Sequence, residues 1–252
     1  MRILFTFMAI VPVFYLAVCA AAFLLQRSLI YYPQPNAYSM TERMTLAADG
    51  ADVAVSMRQR EGAKALIYFG GNAEDVSANL PSLPAAFPDH AIYLMNYRGY
   101  GGSSGTPSEH ALHQDALLLF DSVHKEHPEV TVMGRSLGSG LAVRLAAERP
   151  VSRLVLVTPF ESLSGMAQAH FPYLPVRWLL IDRYESGRYA PKITAPTLIL
   201  AAERDEVVPR SSTAQLHARF APGTATLEVI RGTGHNTISE SPAYWNALRT
   251  IR

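Results

Sequence analysis

The stretch "VTVMGRSLGSGLAVRLAAE", Val130–Glu148, is where the fold can be read. Its first half is a short β-branched run that reads as a buried strand, and its second half repeats apolar residues at helical spacing. Between them stand Gly134, Arg135, Ser136, Leu137 and Gly138. A Gly-x-Ser-x-Gly pattern arises by chance in roughly one chain in ten of this length, so the pattern alone says little. At a strand-to-helix junction it says more. A serine held on a sharp, strained turn needs small residues two before and two after it, and its hydroxyl is then presented at the edge of a sheet. Gly140 fits the same reading, as a position that lets the helix pack close to the sheet.

Outward from this point the rhythm is strand and helix in alternation. "KALIYFGG" is an apolar strand ending in two glycines, and "NAEDVSANLPSLPAAFPD" is helix-like with proline interruptions. "AIYLMNYRGYGGSSGTPSE" runs from a strand into a glycine-rich loop, and "SEHALHQDALLLFDSVHKE" is an amphipathic helix opening on a Ser-Glu cap. "SRLVLVTPF", "APTLILAAERDEVVP" and "ATLEVIRGTGHN" are three further strands, with helical segments around Ser211–Phe220 and Pro242–Ile251. Upstream, "SLIYYPQP" reads as an early strand and "ERMTLAADGADVAVSMRQR" as a hairpin turning at Asp49-Gly50. Apolar strands alternating with helices predict an α/β domain with a mostly parallel sheet covered on both faces. Functional residues on such sheets gather just after the strands. The segment at about 161–192 interrupts the alternation; rich in aromatics and prolines, it reads as a short lid.

Composition bounds the function. The chain has 252 residues, 49% hydrophobic and 17% charged, with a net charge of +1. Its basic residues are scattered, which argues against nucleic acid as a partner. The single cysteine, Cys19, excludes an internal disulfide. From Ile3 to Leu25 there is no charged residue. At ~1.5 Å per residue such a run crosses a hydrocarbon core of ~30 Å as a helix. Residues 1–27 therefore read as a single-pass membrane anchor and 28–252 as the folded domain. A cleaved signal peptide is the competing reading, with "CAAA" as small residues for cleavage. Arg2 and Arg27 flank the run and nearly cancel as topology signals; the domain is expected on the non-cytoplasmic side.

A serine hydroxyl becomes a useful nucleophile when a histidine takes its proton and an acid fixes the histidine's tautomer. Of the eight histidines, His110, His113, His124 and His127 lie in or beside one amphipathic helix and are expected on its solvated face. His90 precedes a strand, His217 sits within a helix and His170 in the lid. His235 follows the last strand in "GTGHN" and is the candidate base. Asp205 in "ERDEVVP" follows a strand and lies between Ser136 and His235, and is the candidate acid; Glu203 and Glu206 are neighbouring alternatives. An oxyanion hole needs two backbone N–H groups. Leu137, next to the serine at a helix N-terminus, is one candidate, and Asn72, with Gly71 allowing close approach, is the other.

"FGGNAED", "NYRGYGGSSGTPSE", "GRSLGSG", "ERDEVVP" and "GTGHN", in this order and spacing, resemble the α/β-hydrolase superfamily from about Ser28 to the C-terminus. "RSLIYYPQP" after an apolar N-terminal segment, with the "YRGYG" loop, is similar to its membrane-anchored Bem46-like branch. The resemblance implies an α/β-hydrolase fold with an eight-stranded, mostly parallel sheet, a short lid and an N-terminal transmembrane helix. It implies Ser136 as nucleophile, Asp205 as acid and His235 as base, with no cofactor and no metal. One departure stands out: Gly70-Gly71 occupies the place of a common His-Gly.

The expected activity is cleavage of carboxylic esters or thioesters through an acyl-enzyme. A lipid or an acylated protein suits an anchored enzyme, and Phe171 and Trp178 in the lid are candidate substrate contacts. A serine peptidase shares the same machinery. A non-catalytic receptor or scaffold on this fold typically lacks one of the three residues, and all three are present here. A haloalkane dehalogenase is disfavoured because its nucleophile is an aspartate.

Overall fold

The computed structural model describes residues 2–37 and 42–250, and of residues 2–9 the backbone alone. The chain opens with a long helix, α1 (Arg2–Ile30). A hairpin follows, β1 (Glu42–Ala48) and β2 (Ala51–Arg58), turning at Asp49-Gly50 as the sequence predicts; Gly50 takes φ +71° there. Then come β3 (Lys64–Phe69), α2 (Leu83–Ala86), β4 (Ala91–Met95), α3 (Glu109–Glu126), β5 (Glu129–Arg135) and α4 (Leu137–Glu148). After β6 (Arg153–Val157) the lid carries three short helices, α5 (Leu163–His170), α6 (Val176–Leu179) and α7 (Ser186–Tyr189). The chain finishes with β7 (Thr197–Ala202), α8 (Arg210–His217), β8 (Ala225–Ile230) and α9 (Pro242–Arg249). The helical reading to Ile251 ends outside the described residues.

The eight strands form one sheet in the order β1-β2-β4-β3-β5-β6-β7-β8. The β1–β2 and β2–β4 pairs are antiparallel and the others parallel. Central strands are apolar throughout because helices cover both faces, as every buried residue of β4 illustrates. Side chains alternate between the faces. Along β3, Ala65, Ile67 and Phe69 join the core beneath α3 and α4, while Leu66 and Tyr68 join the core beneath α2 and α9.

Three local expectations change. "SLIYYPQP" is not a strand: α1 runs on to Ile30, and Tyr31–Asn36 is irregular. Aromatic strand propensity is overridden because the Tyr32 amide bonds the Asn72 carbonyl at 3.0 Å instead of a neighbouring strand. His113 and His127 are buried, not on a solvated face. His113 Nε2 meets Glu148 of α4 at 3.0 Å, and His127 meets the Gly62 carbonyl and the Tyr93 hydroxyl. Gly140 faces the lid rather than the sheet: a Cβ there would stand 2.8 Å from the ring of Tyr184.

The apolar N-terminus forms the expected helix, and Ile10–Ile30 is long and apolar enough to cross a membrane. Its last turns dock on the lid. Gln26 Nε2 donates to the Leu179 carbonyl at 3.2 Å, and its Oε1 accepts from the Ile181 amide at 2.7 Å. Arg27 pairs with Asp182 at 3.2 Å, and the Tyr31 hydroxyl reaches both Asp182 and the Tyr184 hydroxyl.

Candidate active site

The β5–α4 turn forces Ser136 into φ 49° and ψ −118°, a conformation L-residues rarely adopt. Such a conformation costs on the order of 1–3 kcal/mol and persists where packing over-determines it. The packing is specific. A Cβ on Gly138 would run into the carbonyls of Phe69 and Gly70, and one on Gly134 would meet Ala142 Cβ at 2.7 Å. The Ser136 amide donates to the Val157 carbonyl at 2.9 Å, and the Gly138 amide to the Gly70 carbonyl at 3.1 Å.

Ser136, His235 and Asp205 come together at the C-terminal ends of β5, β8 and β7. His235 Nε2 lies 3.0 Å from Ser136 Oγ, and its Nδ1 lies 2.9 Å from both carboxylate oxygens of Asp205. Facing two carboxylate oxygens, Nδ1 carries the proton, which leaves Nε2 to accept from the serine hydroxyl. The His235 and Asp205 side chains are 6% and 4% exposed, so the pair acts with little competing water. Asp205 Oδ1 also accepts from the amides of Val207 at 3.0 Å and Val208 at 2.7 Å, which fixes the carboxylate plane.

The alternative acids brace loops instead. Glu206 accepts from the His235 amide at 3.2 Å, and Glu203 from the Gly232 amide at 2.8 Å. The other histidines do not enter this site.

The loop after β3 passes over Ser136, and a Cβ on Gly71 would stand 3.8 Å from the serine Cβ. Within the loop the Gly71 amide is committed to Glu74 at 2.7 Å. The Asn72 and Leu137 amides have no hydrogen-bond partner among the described residues. Asn72 is clamped through its other groups. Its carbonyl accepts from Tyr32 N and Tyr100 Oη, the latter at 2.6 Å, and its side-chain amide donates to the Ile30 carbonyl at 2.8 Å.

Sequence reasoning missed the bracing beneath this loop. Glu74 gathers Gly71 N, Tyr68 Oη, Asn79 Nδ2 and the Arg135 guanidinium. Arg135 donates as well to the His235 carbonyl at 3.3 Å, so one cation spans both loops. Burial, and then the Glu74 carboxylate beside it, push the Tyr68 hydroxyl well up, which keeps it a donor. The available signals were an acid three residues after Gly71 and a lone cation inside an apolar turn.

Among the lid residues, Phe171 is 58% exposed and lines a groove against α1, while Trp178 is 88% exposed and does not line it.

A family model described as "Serine aminopeptidase, S33" matches residues 85–183. An uncharacterized protein of Mycobacterium tuberculosis is 34% identical over 229 residues, covering 84% of this chain and 80% of its own length. The Bem46 protein of Schizosaccharomyces pombe is 31% identical over 59% of this chain, and the lysophosphatidylserine lipase ABHD12 of Macaca fascicularis is 31% identical over 62%. This chain spans 54% and 45% of those two proteins. Among solved structures, a hydrolase from Pseudomonas aeruginosa superposes with a TM-score of 0.66 at 21% identity, covering 84% of this chain and 98% of that one. An eight-stranded sheet of this order, with a serine on a strained turn after its fifth strand, and these relatives together make the chain a member of the α/β-hydrolase superfamily, akin to the Bem46 proteins.

Proposed function

We propose that this protein is a serine hydrolase that cleaves carboxylic ester or thioester bonds through an acyl-enzyme, held at a membrane by α1. The observation that carries the reading is the unbroken relay from Asp205 through His235 to Ser136 Oγ, with contacts of 2.9 Å and 3.0 Å. Ser136 Oγ attacks the carbonyl carbon as His235 Nε2 takes its proton, and Asp205 stabilises the imidazolium that forms. The Leu137 and Asn72 amides receive the oxyanion, the former helped by the N-terminus of α4. His235 then returns the proton to the leaving alcohol or thiol. Water, deprotonated by the same imidazole, releases the acid and regenerates the serine.

A lipid or acylated-protein substrate is supported by the apolar length of α1 and by kinship to a protein named a lysophosphatidylserine lipase. We assign the catalytic domain to the non-cytoplasmic side. The full chain should react with a fluorophosphonate probe and hydrolyse p-nitrophenyl esters, and Ser136→Ala should lose both, with turnover falling on the order of 10³–10⁶. Undiminished turnover in that variant would exclude the mechanism. The matched family description favours peptide bonds as a second reading. Faster turnover of aminoacyl p-nitroanilides than of p-nitrophenyl esters would select it.

A further inference from the structure

Where α1 meets the lid, a groove of about 250 Å³ runs between Ala22, Leu29 and Ile30 on one side and Leu163, Ala167 and Phe171 on the other. Its one polar lining residue, Gln26, is turned away from it: Nε2 donates to the Phe23 and Leu179 carbonyls, and Oε1 accepts from the Ile181 amide. The groove therefore offers a ligand only hydrocarbon. A dry apolar cavity of about 150 Å³ takes a six-carbon ring, so this one has room for a single chain of roughly ten carbons.

The two ends differ. Leu29 and Phe171 are 62% and 58% exposed and form the rim, whereas Ile30 is buried. Leu25, one turn before Leu29 on α1, and Tyr173 and Ile181 of the lid are apolar side chains that are also open to the surroundings, 57%, 88% and 53% exposed. Tyr15 Oη donates to the Tyr173 carbonyl at 2.9 Å, which ties the lid to the helix higher up. At the buried end, the Ile30 carbonyl accepts from the Asn72 side chain at 2.8 Å. The groove thus begins on the surface that a membrane-crossing α1 turns to lipid, and ends one hydrogen bond from a residue assigned to the oxyanion hole.

We propose that this groove seats the acyl chain of the substrate, so that the membrane helix itself forms one wall of the substrate site. The proposal rests on the serine-hydrolase reading above. The substrate class is an ester or thioester with one medium to long acyl chain, which slides out of the bilayer between Leu29 and Phe171 until its carbonyl reaches Ser136. Two chains do not fit side by side in a groove of this size.

The test uses the full chain in phosphatidylcholine vesicles with p-nitrophenyl acetate, butyrate, hexanoate, octanoate and decanoate. Each methylene buried contributes about fourfold in kcat/KM, so the rate constant should climb from butyrate to octanoate and level off near ten carbons. Ala167→Phe on the lid and Ala22→Phe on α1 fill the groove from opposite walls. Both positions are only half-buried, so the larger side chain has room to be accommodated in the fold. In each variant the octanoate-to-butyrate ratio should fall at least tenfold. A ratio that stays at the wild-type value in both would overturn the proposal, as would equal rates on all five esters in the wild type. Absence of hydrolysis together with absence of fluorophosphonate labelling at Ser136 would instead bring down the hydrolase reading, and this proposal with it.

Discussion

Arg135 and Glu74, 61 residues apart in the chain, pair at 3.2 Å beneath the loop that covers Ser136. Their side chains are 18% and 11% exposed. Breaking a buried pair by removing one partner costs roughly 3–5 kcal/mol, and residual exposure puts this pair toward the lower end. Glu74→Ala should therefore lower the midpoint of thermal unfolding by several degrees and free Gly71. Glu74→Gln, whose single oxygen can still accept from the Gly71 amide, should be milder. Equal unfolding midpoints for the two variants, by circular dichroism, would show that a neutral acceptor adds nothing and that the loss of the carboxylate charge beside Arg135 carries the whole effect.

Asp205→Asn separates orientation from folding. The asparagine oxygen can still accept from the Val207 and Val208 amides, which now bond Asp205 at 3.0 Å and 2.7 Å. Its NH₂ would then face His235 Nδ1 and favour the tautomer with the proton on Nε2, unable to accept from Ser136. Turnover should drop on the order of 10⁴, with an unfolding transition close to that of the wild type.

Gly138→Ala tests the packing of the turn. The added methyl points at the Phe69 and Gly70 carbonyls, which are backbone and cannot rotate away. Overpacking of this kind costs about 1–3 kcal/mol. Because the same displacement tilts α4 and the Leu137 amide, ester hydrolysis should fall more than the unfolding midpoint suggests. A variant with wild-type turnover and stability would mean that the strand and helix have slack.

His90 gives the fold an acid sensitivity. Burial, with Lys64 nearby, pushes its pKa down from 6.5 to about 4. Between those values the unfolded chain binds a proton that the folded chain does not, so stability is fully present above pH 6.5 and declines as the pH falls toward about 4. Solvent around the half-buried ring keeps the slope below the limit of about 1.4 kcal/mol per pH unit for one proton. His90→Gln should flatten this part of the curve in urea titrations at pH 4.5 and 7; an unchanged difference between the two pH values would assign the effect elsewhere.

The elbow, Asp205 and His235 were legible because each is a local signal, a strand running into a turn with a diagnostic residue in it. The order β1-β2-β4-β3 at one sheet edge was not, since pairing order depends on crossovers that leave no local trace. Nor was the fate of His113: amphipathic spacing predicts one buried face, but α3 packs against α4 as well as the sheet and so buries a second. Glu74 and Arg135 were not legible for a related reason, because a buried ion pair looks like two unrelated surface charges until the chain folds. The end of α1 was not legible because Ser28–Tyr31 has strand-like residues whose conformation is set by contacts with Asn72 and Asp182.

Those contacts bear on how the enzyme can be handled in solution. A soluble form made by deleting residues 1–27, where the charge pattern suggests a boundary, would discard Gln26 and Arg27. The Ile181 amide would then lose its acceptor, Asp182 its cation, and Ile30, whose carbonyl holds the Asn72 side chain, most of the helix that positions it. Retaining the last two helical turns, from Ala22 onward, keeps all three, at the cost of a short greasy stub that calls for detergent during purification.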